Sequence, residues 1–151
     1  MRKVSRKKRP RTHWLQHSLT AIVIALSTLF AYSNTFQAPF LFDDEPNIVQ
    51  NEQIRIERLN WDELRRALTQ GYLTGRPIAY LTFALNYYFG GYDVRGYHLF
   101  NYAVHLLNSL LVYGLALATL RLFRSVQDHR TQWLDEPTTW GIATLTAAIF
   151  A

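Results

Sequence analysis

The chain has 151 residues, is 49% hydrophobic and 15% aromatic, contains no cysteine and carries a formal net charge of +5. This apolar content excludes a disordered chain, and the lack of cysteine excludes a disulfide scaffold or a cysteine-based metal site. Seven of the sixteen Lys and Arg residues fall within residues 1–13, which contain no acid. Because this basic tail has no interleaved aromatic residues and leads into an apolar segment, we expect no nucleic-acid partner.

The first predicted membrane span is residues 15–36, after a basic tail of residues 1–14. No charged residue occurs between Ser18 and Thr35. A helix of this length covers about 33 Å, enough to cross a hydrocarbon core. A cleaved signal peptide has a similar pattern, but the long apolar run and the apolar segments that follow favour a retained span. The positive-inside rule then predicts a cytoplasmic N-terminus, with residues 37–96 outside the cytoplasm.

The second predicted span is residues 97–123, which ends in a basic stretch expected to return to the cytoplasm. At about 100° per residue, its interior polar side chains fall within an arc of roughly 80°. They are His98, Asn101, His105 and Asn108. Such a stripe faces other helices or a wet cavity, so it indicates either hydrogen bonds between packed spans or direct substrate contact.

The end of the chain predicts a cytoplasmic loop at residues 124–138 and the start of a third span at residues 139–151. The apolar stretch from Trp140 has 12 residues, about 18 Å of helix, which is too short to cross a bilayer. We therefore expect an all-α, multi-pass membrane fold in which this chain is the N-terminal part of a longer protein or a truncated product of one. The remaining transmembrane helices of that protein would then pack against the spans described above.

The predicted external loop, residues 37–96, is too long to be a simple connector. Asn60 followed by Glu63 fits a helix cap, and an amphipathic helix should run from there to about Gly71. Its apolar side is formed by Trp61, Leu64, Leu68 and Tyr72. This helix could lie on the membrane surface or pack as an ordinary surface helix. After Arg76 and Pro77, residues 78–89 are uncharged and aromatic, which predicts an interfacial or re-entrant helix.

The acidic run Asp43-Asp44-Glu45 is the candidate for chemistry in this loop. Adjacent carboxylates can act as a general base or hold a divalent cation through their oxygens. No other residue pattern indicates a metal site. A solvated acidic turn is the plain alternative.

Two segments together resemble a known family. YSNTFQAPFLFDDEPNIVQNEQI and GRPIAYLTFALNYYFGGYDVRGYHLFNYAVHLLNSLLVY resemble the N-terminal region of GT-C fold membrane glycosyltransferases. The relatives are the transmembrane and tetratricopeptide-repeat-containing O-mannosyltransferases and, more distantly, the protein O-mannosyltransferases. The resemblance runs from about Tyr32 to the end of the chain. Its most specific elements are the Phe-x-Phe-Asp-Asp run, the Arg-Pro pair, and the His-x-x-Asn-x-x-x-His opening of the second span.

This resemblance implies an enzyme that transfers a sugar, with mannose as the leading candidate, from a polyprenyl or dolichyl phosphate donor. The acceptor would be a hydroxyl of a protein or glycan, on the extracytoplasmic side of the plasma membrane or endoplasmic reticulum. Asp43 and Asp44 would be the catalytic pair, one acting as general base in an inverting single displacement. Arg76 would face the donor phosphate, or else form a salt bridge to a loop acid. The substrate-binding set would also include His98, Asn101 and His105, placed to support the loop.

The resemblance also implies parts that this chain does not contain: later spans, a His-Pro segment and tetratricopeptide repeats. We therefore expect the 151-residue chain alone to be inactive. Two other functions fit parts of the sequence. A non-catalytic scaffold or receptor would use the external loop to bind a partner, and a lipid-flipping transporter would use the intramembrane His and Asn residues but gives no reason for adjacent acids.

Overall fold

The described part of the chain is built from helices, and the connection between the first and second α-helices, residues 33–60, contains two short helical turns. A computed structural model describes residues 11–71, 75–126 and 134–151, and within these ranges it contains no β-strand. The helices are α1 (Arg11–Tyr32), α2 (Trp61–Thr69), α3 (Pro77–Gly90), α4 (Val94–Val126) and α5 (Glu136–Phe150). A π-helical turn at Glu45–Val49 and a 3-10 turn at Glu52–Ile54 lie between α1 and α2 in sequence. The predicted all-α class is confirmed.

These elements form two compact units. The terminal unit contains the described residues up to Ala31 together with those of Ala103–Ala151, and the central unit contains Tyr32–Tyr102. The terminal unit therefore consists of α1, α5 and the greater part of α4. The central unit holds the two short turns, α2, α3 and the first residues of α4.

The helices of the terminal unit pack through small residues and hydrogen bonds. The Trp140 indole N–H donates to Thr20 Oγ1 at 2.9 Å, and the Thr20 and Thr144 hydroxyls lie 2.9 Å apart. His17 Nδ1 lies 2.6 Å from the Tyr113 hydroxyl. The apolar core beside them is Ile24, Tyr113, Leu117, Ala143 and Ala147. Small side chains and polar contacts between helices are the usual means of packing helices within a membrane.

Among the described residues, two helices are long and apolar enough to cross a membrane: Trp14–Tyr32 within α1, and α4. Their outward sides carry large apolar residues that the chain itself does not cover. On α1 these include Leu19, Ile22, Leu26 and Phe30, and on α4 they include Leu107, Leu111 and Leu115. Large uncovered apolar surfaces on long helices indicate membrane association.

The helix ends differ from the predicted segment bounds in ways that local hydrogen bonds explain. Helix α1 ends at Tyr32, four residues before the predicted end at Phe36, because the Thr35 N–H and hydroxyl both donate to the Tyr32 carbonyl and start a turn. Helix α4 extends three residues beyond each end of residues 97–123. Helix α5 begins at Glu136, three residues before the predicted start, because Asp135 accepts a hydrogen bond from the Thr138 N–H and caps it. Residues 1–10 of the predicted tail and residues 127–133 of the predicted loop at 124–138 lie outside the described residues.

The central unit has its own apolar core. The buried members are Ile48, Ile54, Ile56, Ala67, Tyr80, Ala84 and Tyr97. They come from the π-helical turn, the 3-10 turn, α2, α3 and the start of α4, and Phe40, Leu64 and Phe83 pack against them. A core shared by so many short elements fixes the acidic segment against α3.

Helix α2 begins where the cap pattern predicts. Asn60 Oδ1 accepts the Glu63 N–H at 2.8 Å. The side of α2 that faces the core is Leu64 and Ala67, whereas Trp61 is 71% exposed. Trp61 therefore takes no part in this core, the position of α2 at the membrane surface stays a prediction, and Tyr72 lies outside the described residues.

Helix α3 confirms the predicted helix after Arg76. It starts at Pro77 and ends before Gly91, whose φ of +58° suits a residue without a side chain. One side is buried through Tyr80 and Ala84, while Ile78 and Phe89 remain largely exposed. A helix with one packed and one bare apolar side fits the predicted interfacial position, which stays a prediction.

Candidate active site

The acidic residues follow a tight turn that closes on itself. The Leu41 N–H donates to Asp44 Oδ2 at 3.1 Å, and the Asp44 N–H donates to the Leu41 carbonyl at 3.0 Å. Between them Phe42 has a φ of +48°, a conformation that residues with a Cβ rarely adopt, and its side chain is 91% exposed. This turn leaves Asp43 exposed and Asp44 half-buried.

A buried asparagine joins the acidic turn to α3. Asn47 Nδ2 donates to the Asp43 carbonyl at 2.7 Å, and the Tyr80 hydroxyl donates to Asn47 Oδ1 at 2.7 Å. Asn47 is 8% exposed and Tyr80 is 1% exposed. The acidic turn is thus anchored by a part-buried hydrogen bond from Asn47, which a fully buried hydrogen bond joins to Tyr80.

A pocket of about 180 Å³ opens beside the acidic turn. Its lining residues are Asp43, Asp44, Asn47, Arg76, Ala79, Tyr80 and Phe83. The pocket brings Asp43 and Asp44 together with Arg76, which lies more than thirty residues later at the start of α3. Two aspartates and one arginine thus line one small cavity together with Tyr80 and Phe83.

Arg76 is exposed and forms no ion pair with another residue in the described ranges. Its guanidinium can therefore pair with an anion from outside the chain. A guanidinium can bind two oxygens of a phosphate at once, which makes arginine well suited to a phosphorylated ligand.

The three polar residues predicted on the second span do not line this pocket. His98 Nε2 lies 3.0 Å from the Ala38 carbonyl, so its imidazole contacts the segment that leads to the acidic turn. Asn101 is exposed and makes no hydrogen bond to another described residue. His105 belongs to the terminal unit, where Nε2 lies 3.0 Å from the Ala151 carbonyl and the ring stacks on Phe150. His105 therefore makes the kind of interhelical contact that was one interpretation of the stripe.

Asn47 and Tyr80 are pocket residues that the sequence patterns did not single out. Asn47 has no motif around it beyond its position shortly after the acids. Tyr80 is one of several aromatic residues in α3, and nothing local marks it as the buried one. Within the described ranges, no three His, Asp or Glu side chains cluster closely enough to hold a metal ion.

Comparison with known proteins gives partial and distant matches. This chain is similar to the "Protein O-mannosyl-transferase TMTC4" of Homo sapiens, with 27% identity over 92 residues, which are 56% of this chain and 12% of the human protein. Each of the matched relatives is named a transferase. The "Protein O-mannosyl-transferase tmtc2" of Xenopus laevis is 34% identical over 51% of this chain and 10% of its own length. The "Protein O-mannosyl-transferase Tmtc1" of Drosophila melanogaster is 33% identical over 56% of this chain and 11% of its own length.

The chain therefore spans about a tenth of the length of these relatives. No family model matches it, and no solved structure matches it. The comparisons support a distant relation to O-mannosyl-transferases over about half of the chain. The GT-C fold that the resemblance implies stays a prediction.

Proposed function

We propose that this chain is part of an integral membrane glycosyltransferase that moves a sugar, with mannose as the leading candidate, from a polyprenyl or dolichyl phosphate to a hydroxyl of a protein or glycan. The observation that carries the proposal is the pocket in which Asp43, Asp44 and Arg76 meet. The names of the distant relatives support the same reaction class.

In the proposed reaction one aspartate carboxylate acts as general base. It accepts the proton of the acceptor hydroxyl while the hydroxyl oxygen forms a bond to the anomeric carbon of the sugar. The bond from that carbon to the phosphate oxygen breaks, and the lipid phosphate leaves with the electron pair. Attack opposite the leaving group inverts the anomeric centre. Asp44 is held by the Leu41 N–H, whereas Asp43 is more exposed, and either carboxylate can fill this role.

Arg76 would pair with the phosphate of the donor. Negative charge on the phosphate grows as the sugar leaves, so a guanidinium at that position stabilises the transition state more than the bound donor. The two carboxylates could also hold a divalent cation against the phosphate. The donor, the acceptor, the later spans and the extracytoplasmic location belong to the proposal.

The first experiment removes the carboxylate charges. The assay uses membranes from cells that express the full-length gene. The variants Asp43→Asn and Asp44→Asn are each compared with Asp62→Asn, which changes an exposed acid on α2. The assay is transfer of radiolabelled mannose from dolichyl phosphate mannose to endogenous membrane protein. We expect at least one of the pocket variants to lose about a hundredfold or more in rate, with Asp62→Asn unchanged.

Membrane insertion of each variant is checked by resistance to alkaline extraction. If wild-type protein transfers sugar and both pocket variants keep full activity, neither aspartate is the base. If wild-type protein transfers no sugar, the scaffold or receptor function is favoured.

Arg76 has a matched control in Arg65, an exposed arginine on α2. Arg76→Ala should lower kcat and raise the KM for the donor, and Arg76→Lys should restore both only in part, because a lysine cannot form two parallel hydrogen bonds to phosphate. Arg65→Ala should change neither value. Equal effects of Arg76→Ala and Arg65→Ala would contradict the assignment of Arg76 to the donor phosphate.

A further inference from the structure

The carboxylate pair depends on a turn that is unfavourable by itself. Phe42, which immediately precedes Asp43, has a φ of +48°. A non-glycine residue in this region is held there only when surrounding contacts outweigh the backbone cost. The Asn47 side chain donates a hydrogen bond to the carbonyl of Asp43, the residue that follows Phe42. Asn47 is therefore placed to stabilise the turn.

Asn47 forms hydrogen bonds to residues before and after it in the chain, through both its side chain and its backbone. Its Nδ2 donates to the Asp43 carbonyl, and its Oδ1 accepts the Tyr80 hydroxyl. Its own backbone carbonyl accepts Asn51 Nδ2 at 3.2 Å. A buried carboxamide with both ends paired is held firmly, because leaving either end unpaired would cost the desolvation of a polar group.

The buried location of Tyr80 depends on Gly71. A Cβ added at Gly71 would lie 2.2 Å from the Tyr80 ring, so the ring occupies the space that a side chain would take. This close contact packs Tyr80 into the core of the central unit, where its hydroxyl reaches Asn47. The path from α3 to the acidic turn therefore passes through two successive hydrogen bonds.

We infer that Tyr80 and Asn47 are positioning residues that hold Asp43 and Asp44 at the pocket through the chain of hydrogen bonds from Tyr80 to Asn47 to the Asp43 carbonyl. Neither residue exchanges a proton with the substrate. Their role is to keep the carboxylates in one place, which a general base requires because small displacements from the reacting atoms cost large factors in rate. The inference rests on the proposed function for its effect on turnover.

The test separates positioning from simple packing. Tyr80→Phe keeps the ring that fills the core and removes only the hydroxyl. We expect it to lower kcat by roughly tenfold while the KM for dolichyl phosphate mannose stays within about twofold. Tyr88→Phe, in the same helix but 38% exposed, is the matched control and should leave both values unchanged.

Asn47→Ala removes the side-chain hydrogen bond to the Asp43 carbonyl, while the longer one from the backbone N–H of residue 47 at 3.4 Å remains, and it also removes an acceptor for the Tyr80 hydroxyl. If the two residues act as one chain, Tyr80→Phe should lower kcat much less when Asn47 is already alanine. Independent, multiplying losses in the double variant would overturn the inference. So would an unchanged kcat in Tyr80→Phe when the wild-type protein is active.

A measurement that needs no enzymatic activity distinguishes a failure of the positioning inference from a failure of the proposed function. Amide hydrogen exchange of the segment 41–47 should become faster in Tyr80→Phe, while exchange in the apolar core at Ile54 and Ala84 stays unchanged. If the wild-type protein transfers no sugar, the proposed function fails and exchange alone decides this inference. Unchanged exchange at 41–47 would then overturn it. If Tyr80→Phe fails to insert, Asn47→Ala provides the same comparison.

Discussion

Gly71 is the residue on which the placement of Tyr80 depends most directly. The ring atom Cδ2 of Tyr80 would lie 2.2 Å from a Cβ at position 71, far inside van der Waals contact. Tyr80 is 1% exposed and hydrogen-bonded through its hydroxyl, so its ring has little room to move away. A side chain at this position must therefore displace either the ring or the segment after α2.

We expect Gly71→Ala to destabilise the central unit by about 1–3 kcal/mol, the usual cost of forcing extra atoms into a packed core. The measurement is thermal or urea-induced unfolding of the protein in detergent. Gly90→Ala is the control, because a Cβ there would meet only Asp93 at 3.8 Å. Equal stability of the two variants would show that the Tyr80 ring shifts without cost.

At this scale the sequence predicted some of the pocket and missed some of it. The adjacent carboxylates predict Asp43 and Asp44, and the resemblance at the Arg-Pro pair implies Arg76. All three line one cavity because the core of the central unit packs α3 beside the acidic segment. Asn47 and Tyr80 could not be chosen in this way. Their importance comes from a hydrogen bond between residues 33 positions apart, which no local pattern records.

At the scale of elements, α2 shows that a helix cap can be predicted from a few neighbouring residues. The predicted pair is present, since Asn60 accepts the Glu63 N–H. The Glu63 carboxylate does more than the cap pattern requires. It accepts the backbone N–H groups of Glu57 and Arg58 at 2.8 and 3.1 Å, and so fastens the preceding loop to the first turn of α2.

These contacts give the stability of the central unit a pH dependence with a defined sign. The hydrogen bond from the Arg58 N–H, assisted by that from Glu57, holds the pKa of Glu63 below its ordinary value of 4.5. A carboxyl whose pKa is lower in the folded state stabilises that state above its ordinary pKa. This contribution is lost as the pH falls from 4.5 through the lowered pKa.

Glu63→Gln should therefore lower the unfolding temperature at pH 7, and the gap from wild type should close as the pH falls below 4.5. Glu57→Gln changes an exposed acid in the same loop and serves as control. A gap for Glu63→Gln that stayed constant across this pH range would show that the carboxylate charge is not what holds the loop.

The helix ends show where element-scale prediction is weakest. Apolar content predicted a first span reaching Phe36, but the Thr35 hydroxyl and N–H bind the Tyr32 carbonyl and end α1 there. Serine, threonine and asparagine compete with helical hydrogen bonds in this way, so the polar residues after Tyr32 decide the end of the helix.

At the scale of the whole molecule, the main prediction is the direction in which α1 and α4 cross the membrane. Both contain spans that are long and apolar enough to cross. The seven basic residues of the tail favour a cytoplasmic N-terminus, with the acidic turn on the other side. The absence of native cysteine makes this measurable with single introduced thiols.

In sealed vesicles of known orientation, a membrane-impermeant maleimide should label Ser5→Cys from the cytoplasmic side and Asn34→Cys from the opposite side. Ser125→Cys, near the end of α4, should label with Ser5→Cys. These three variants are each other's controls for accessibility. Labelling of positions 5 and 34 from the same side would contradict the predicted orientation and remove the acidic turn from the extracytoplasmic surface.

The sequence by itself determined the helical class, the two long apolar helices and the acidic run Asp43-Asp44-Glu45. These properties depend on composition and on contacts within a few residues, which are visible in the order of the chain. Only the tertiary structure decided that Tyr80 rather than another α3 aromatic is buried, that Asn47 joins it to Asp43, and that Trp61 is exposed. Burial and long-range hydrogen bonds are set by which elements pack together, and that packing depends on all members of the core at once.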